Sequence, residues 1–155
     1  MNRQWMTHMT EIRLLEVARY PRKRTSTGCA SFGEHEPEFL ADPSWADIEE
    51  AIRRLDRDKY PYIWLHLTDP VDQDGPQGLN IMGGRGEYAL SISLPGQLVY
   101  YDDPKRGDEV ILIWESDQGS SLPERSLCND VDFVVAIARH FADTGRPHPG
   151  SEWRK

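Results

Sequence analysis

Five histidines, two cysteines and 26 acidic side chains are the groups in this 155-residue chain that could carry chemistry. Cys29 and Cys128 stand far apart, and neither belongs to a Cys-x-x-Cys pair. That excludes a disulfide framework and a cysteine metal motif, and leaves two free thiols in a reducing compartment. Cys128 directly precedes an expected helix, where the N-terminal dipole can lower a thiol pKa, but no histidine is assigned to it as a base. His8, His35, His66, His140 and His148 form no spacing that ligates metal, and His35 between Glu34 and Glu36 reads as part of an acidic loop. Asp69-Pro70-Val71-Asp72-Gln73-Asp74-Gly75 matches part of a calcium loop. In that alignment, however, Pro70 occupies the first ligand position and Ile81 the twelfth, so the bidentate carboxylate is missing. Gly83-Gly84-Arg85-Gly86 lacks the lysine of a phosphate loop and leads into a strand, so it reads as a tight turn needing positive φ. Ser120 and Ser121 sit in no nucleophile elbow, and neighbouring carboxylates such as Asp102-Asp103 and Asp108-Glu109 do not define an acid and a base. The expectation is a protein without catalytic residues, metal or cofactor.

Charge narrows the partners. With 18 Lys+Arg against 26 Asp+Glu the net charge is −8, which argues against gripping nucleic-acid phosphates and suits a basic protein partner or a solvated surface. Apolar residues at 38% and charged residues at 28% are ordinary for a folded chain, and this length buries about two-thirds of its unfolded surface in one domain, 1–155. No apolar run approaches the ~20 residues of a membrane span, and residues 1–15 lack the apolar core of a signal peptide. A cytoplasmic protein with no membrane or nucleic-acid partner, monomeric or weakly dimeric, is expected. Three methionines fall in the first nine residues, so translation could start at Met6 or Met9, and 1–9 is expected to fray.

The elements that must position any site follow from periodicity. Residues 11–18 read as a strand, and 19–43 as an irregular region, basic at first and then acidic, with a short strand near 29–32. Ser44 with Asp47 three residues on is a weak capping box. Trp45, Ile48, Ala51, Ile52 and Leu55 then make one apolar stripe, with Glu49–Arg53 and Glu50–Arg54 as i,i+4 pairs on the outer face. That helix should end near 57–59, because Pro61 forbids continuation. Strands are expected at 62–67, 79–82, 87–94, 98–101 and 110–114, with loops at 68–77 and 115–127. A second helix is expected after Asn129 as cap, with Asp132 at its third position. Its stripe is Val131, Val134, Val135, Ala138, Phe141 and Ala142, and Gly145 ends it. The fold class is therefore α+β: an antiparallel meander of about five strands with two amphipathic helices packed on one face. Trp45 joins the helix stripe, Trp64 and Trp114 are assigned to the core, and Trp153 is expected to dock back and pin the C-terminus.

Residues 44–153 resemble a known family. The signature is a helix opening with Trp45, a hairpin with a Gly-rich turn, an amphipathic helix, then Phe141-Ala142-Asp143-Thr144-Gly145-Arg146-Pro147 and Trp153 near the end. It is similar to the first family of immunity proteins in bacterial polymorphic toxin systems, and 44–153 is its core. The resemblance implies a small cytoplasmic α+β protein that binds a cognate secreted toxin domain, often a nucleic-acid deaminase, and blocks its active site without catalysis. An acidic inhibitor of a basic groove gains steered association. The loop carboxylates Asp69, Asp72, Asp74, Asp102, Asp103, Glu115 and Asp117 are then the candidate toxin-binding residues. Connections in a meander alternate between sheet ends, so these need not form one patch. Two rivals stand beside this reading. One is a small-ligand or regulatory domain with a pocket of Trp64, Tyr88 and Tyr101. The other is a small hydrolase built on Cys128 or a carboxylate pair.

Overall fold

The period-two alternation of Glu87–Leu94 places its apolar side chains against helices and becomes the centre of an antiparallel sheet. The structure is a computed structural model. It describes residues 12–19, 22–24, 30–32, 36–67, 77–113 and 121–155, with only the backbone of 22–24 and 30–32. In chain order the elements begin with β1 (Leu14–Val17), β2 (Arg22–Arg24), β3 (Ala30–Phe32), β4 (Glu38–Ala41) and α1 (Trp45–Arg54). β5 (Tyr62–His66), β6 (Gly78–Gly84), β7 (Glu87–Leu94) and β8 (Gln97–Asp102) follow. The chain then forms β9 (Val110–Leu112), β10 (Ser121–Pro123), a 3-10 turn (Glu124–Ser126), β11 (Leu127–Cys128), α2 (Val131–Thr144) and β12 (Glu152–Arg154).

The sheet order is β12-β8-β7-β6-β5-β1-β4, and β11 pairs with the stretch of β7 that β8 leaves free. The class is α+β and the centre is a meander, as expected, but the sheet has eight strands where about five were expected. β4 was hidden in the irregular region because it is an edge strand whose four residues are all exposed, so it carries no alternation. Strand 110–114 does not extend the meander. Among the described strands β9 pairs only with β10, in a separate ribbon. The loop expected at 115–127 holds β10, the 3-10 turn and β11. Trp114 and residues 68–76 lie outside the described residues.

Both helices cover one face. Ile48, Ala51, Ile52 and Leu55 of the first helix segment meet Leu15, Val17, Ile63, Leu65, Leu79, Ile81, Leu90 and Ile92, together with Val134, Ile137, Ala138 and Phe141 of α2. At about 25 cal/mol per Å² of apolar surface, this cluster is the main source of stability. The capping box at Ser44 forms in full: the hydroxyl accepts from Asp47 N–H, and the Asp47 carboxylate accepts from Ser44 N–H. α1 ends at Arg54, earlier than expected, because Leu55 turns extended and Asp56 bridges to Gly84 of β6. The Asp56 carboxylate accepts from Asp58 and Tyr60 N–H and holds that turn. Gly84 permits the approach: a Cβ there would sit 2.6 Å from Asp56 N and the Leu55 carbonyl, at a φ of 134°. Glu49–Arg53 pairs as expected at 3.1 Å, but Arg54 reaches Glu38 of β4 instead of Glu50. The second helix is capped one residue later than expected. The Asp130 carboxylate accepts from Asp132 and Phe133 N–H, and Gly145 closes the helix at φ 70°. Ile137, missing from the expected stripe, is fully buried.

Trp153 does dock back. β12 pairs with β8, and the indole stands edge-on to Tyr101 at 6.0 Å and donates to Ser151 Oγ at 3.0 Å. No described helix is long and apolar enough to cross a membrane.

Candidate functional site: the open face of the sheet

The sheet face away from the helices is only partly covered. At one end Ala89, Ile113 and Leu127 form a second small core with Met82, Ile111 and Leu122. Arg106 fastens this end by reaching Glu87, Glu124 and the Leu127 carbonyl. Beyond it no described residue covers the face. Antiparallel register lines its side chains into transverse rows. One row runs Phe39, Glu16, Trp64, Asn80, Ser91, Tyr100, Arg154, and the next Ala41, Leu14, His66, Gly78, Ser93, Leu98. Seven strands at about 4.8 Å spacing make this face roughly 29 Å wide. Phe39, Leu98 and Tyr100 are 59%, 47% and 39% exposed on it.

Within the face lies a groove of about 480 Å³ lined by Glu16, Tyr62, Trp64, His66, Asn80, Met82, Ser91 and Leu98. Trp64 therefore is not core on the helix side. In β5, Ile63 and Leu65 point to the helices, and Tyr62, Trp64 and His66 point to the open face. The indole and the His66 ring stack in parallel, 5.2 Å between centroids. Gly78 makes room for that pair, since a Cβ there would come within 2.8 Å of Trp64 Nε1 and 2.1 Å of the Leu65 carbonyl oxygen. His66 is 4% exposed, and neither of its ring nitrogens, nor Trp64 Nε1, makes a hydrogen bond. His66 Nε2 stands 3.5 Å from Glu16 Oε1, close enough to attract a protonated ring. Burial pushes the imidazole pKa below its ordinary value, and the Glu16 carboxylate opposes that shift. The described groove thus holds one carboxylate, a buried imidazole, and aromatic and aliphatic walls.

The residues singled out in the sequence fall elsewhere. Asp69, Asp72, Asp74, Glu115 and Asp117 lie outside the described residues. Asp102 is not a free loop carboxylate. It is 8% exposed and is gripped by Arg125 at 2.7 and 3.0 Å, with Arg154 at 4.0 Å. The Arg125 hydrogen bonds hold its pKa below the usual carboxylate range. Asp103 shapes the next turn by accepting from Lys105 N–H. Asp102 is thus held by two arginines, while Asp103 is engaged by a backbone N–H of its own turn. Cys128 is buried with its Sγ 3.5 Å from the Asp130 carbonyl, and burial raises its pKa, opposite to the dipole effect the sequence suggested. The expected pocket of Trp64, Tyr88 and Tyr101 does not form, because both tyrosines belong to the helix-side core and Trp64 to the other face. His35 and Glu34 are outside the described residues, and among the described ones no cluster of three or more His, Cys, Asp and Glu is placed to hold a metal.

What sequence reasoning missed is the open face itself. Its signal is the interleaving in 62–67, where aromatic residues alternate with aliphatic ones and both faces read as apolar. Compared with protein-family models, curated proteins and solved structures, the chain matches none.

Proposed function

We propose that the chain is a non-catalytic protein-binding domain of the immunity type, which neutralises a cognate toxin domain by covering its active site or substrate groove with the open sheet face. The observation that carries this reading is that face: Phe39, Tyr62, Trp64, Leu98 and Tyr100 share it, with Met82 beside the small core at one end. Aromatic residues and methionine, with few charges, are the composition of an interface centre, and a soluble monomer rarely leaves such a surface uncovered. The resemblance read from the sequence of 44–153, its Phe141–Pro147 segment and Trp153, supports that kind of partner. The net charge of −8 suits a toxin whose nucleic-acid groove is basic, because complementary fields speed encounter.

Occlusion needs no chemistry from this chain, only shape, apolar contact and a residence time longer than the toxin's working time. The test is co-expression with the short C-terminal domain of a secreted protein encoded by a neighbouring gene. Relief of that domain's toxicity, together with a one-to-one complex on size exclusion, supports the reading. Undiminished toxicity with no complex contradicts it.

A further inference from the structure

We propose that the groove on the open face is a receptor for one guanidinium group, the side chain of an arginine in the partner protein, with Glu16 as its counter-ion and Trp64 and Tyr62 as its stacking wall. The proposal rests on the protein-binding reading above and deepens it by naming the chemistry of the anchor.

Glu16 faces Trp64 directly across β1 and β5, a placement that sets their Cβ atoms about 5 Å apart. It is the single charged side chain among the described residues lining the groove, and its contact there is with His66. A carboxylate beside indole and phenol rings, with no Lys or Arg among the described residues lining the groove, is complementary to a cationic occupant. His66 does not supply that cation: it is nearly buried, with only the 3.5 Å approach to Glu16 to favour its charged form. Asn80 extends the acceptor set. Its Nδ2 donates to the Ile63 carbonyl at 3.2 Å, which leaves the side-chain oxygen for an incoming donor. Glu16 on β1 and Asn80 on β6 flank Trp64 on the strand between them, and a carboxylate at the side of an aromatic wall suits a planar group with several N–H donors.

Guanidinium fits this better than ammonium. It is planar, stacks on aromatic faces, binds a carboxylate through paired N–H groups and is more weakly hydrated, so an apolar groove costs it less. Lysine presents a compact, strongly hydrated point charge that cannot stack. Arginine is also among the residues that concentrate binding energy at the centres of interfaces.

The test uses the full chain alone, with N-acetyl-L-argininamide as the probe, followed at the Trp64 indole N–H by NMR and assigned with Trp64→Phe. Expected is a saturable shift at that proton with millimolar affinity, and binding of N-acetyl-L-lysinamide weaker by about fivefold or more. Glu16→Gln should weaken the arginine probe by roughly tenfold. Leu98→Lys, which places a competing cation on the groove wall, should weaken it similarly and gives a second reading should Glu16→Gln not fold. No saturable shift at Trp64, equal binding of the two probes, or unchanged binding in both variants would overturn the proposal. Its failure is separable from that of the immunity reading. A chain that relieves toxicity without binding the probe loses only the guanidinium site. A chain that binds the probe but protects against no toxin keeps the site and loses the proposed function.

Discussion

His66 concentrates the unusual energetics of the molecule in one side chain. Its ring is stacked on Trp64 and buried, and it makes no hydrogen bond. Its folded pKa lies below the unfolded value of about 6.5. A depressed histidine pKa means that the unfolded chain binds the extra proton. Folding stability is therefore unaffected by this group well above pH 6.5 and falls as pH drops through that value toward the folded pKa. His148, lowered by its own desolvation and by His140, contributes with the same sign. We expect urea unfolding to show a stability loss between pH 7.5 and 5.5 that is reduced, though not abolished, in His66→Gln. An identical loss in the variant would mean that His66 titrates normally. Gly84 gives a second test at this scale. Gly84→Ala puts a methyl group onto the α1–β6 junction at positive φ and should cost roughly 3 kcal/mol. Gly86→Ala, at φ 88° with no atom within 4 Å of its Cβ, should cost about 1 kcal/mol. Equal melting temperatures for the two variants would contradict that account of the junction.

Elements with local codes were legible in the sequence, and elements defined by their partners were not. The limits of β7 and the Ser44 cap follow from neighbours within a few residues, so periodicity and capping chemistry locate them. β4, β11 and β12 have four, two and three residues, and each exists because another strand, β1, β7 or β8, offers it an edge. The facing of β5 is hidden in the sequence for a related reason. Ile63 and Leu65 alternate with Tyr62 and Trp64, so both faces read as apolar, and only the helices decide which one is core. The candidate site was correspondingly half visible. The sequence marks Trp64 as a strand aromatic but not which face it takes, and it shows the number of acidic residues but not that Asp102 is tied to Arg125. The terminal element makes its own prediction. β12 packs Trp153 on Tyr101 and carries Arg154 to Ser126 and Asp102, so Trp153→Ala should cost roughly 2 kcal/mol, less than a fully buried aromatic. Urea denaturation checks this, and an unchanged midpoint would show that the tail is not part of the cooperative unit.

At the scale of the whole molecule the asymmetry of the two sheet faces is the central fact. One face is sealed by α1 and α2, and the other leaves Phe39, Leu98 and Tyr100 to solvent around a groove with a single described carboxylate. Helices that seal only one face leave the other as the natural contact surface, and the acidic charge sets the sign of what approaches it. The most direct measurement is a calorimetric titration of the chain against the toxin domain that the proposed function assigns to it, comparing Leu98→Asp/Tyr100→Asp on the open face with Glu50→Arg on α1. The account predicts a loss of about a hundredfold or more in affinity for the sheet-face variant and little change for the helix variant. Undiminished affinity in the sheet-face variant, with loss in Glu50→Arg, would place the interface on the helical side and contradict the account.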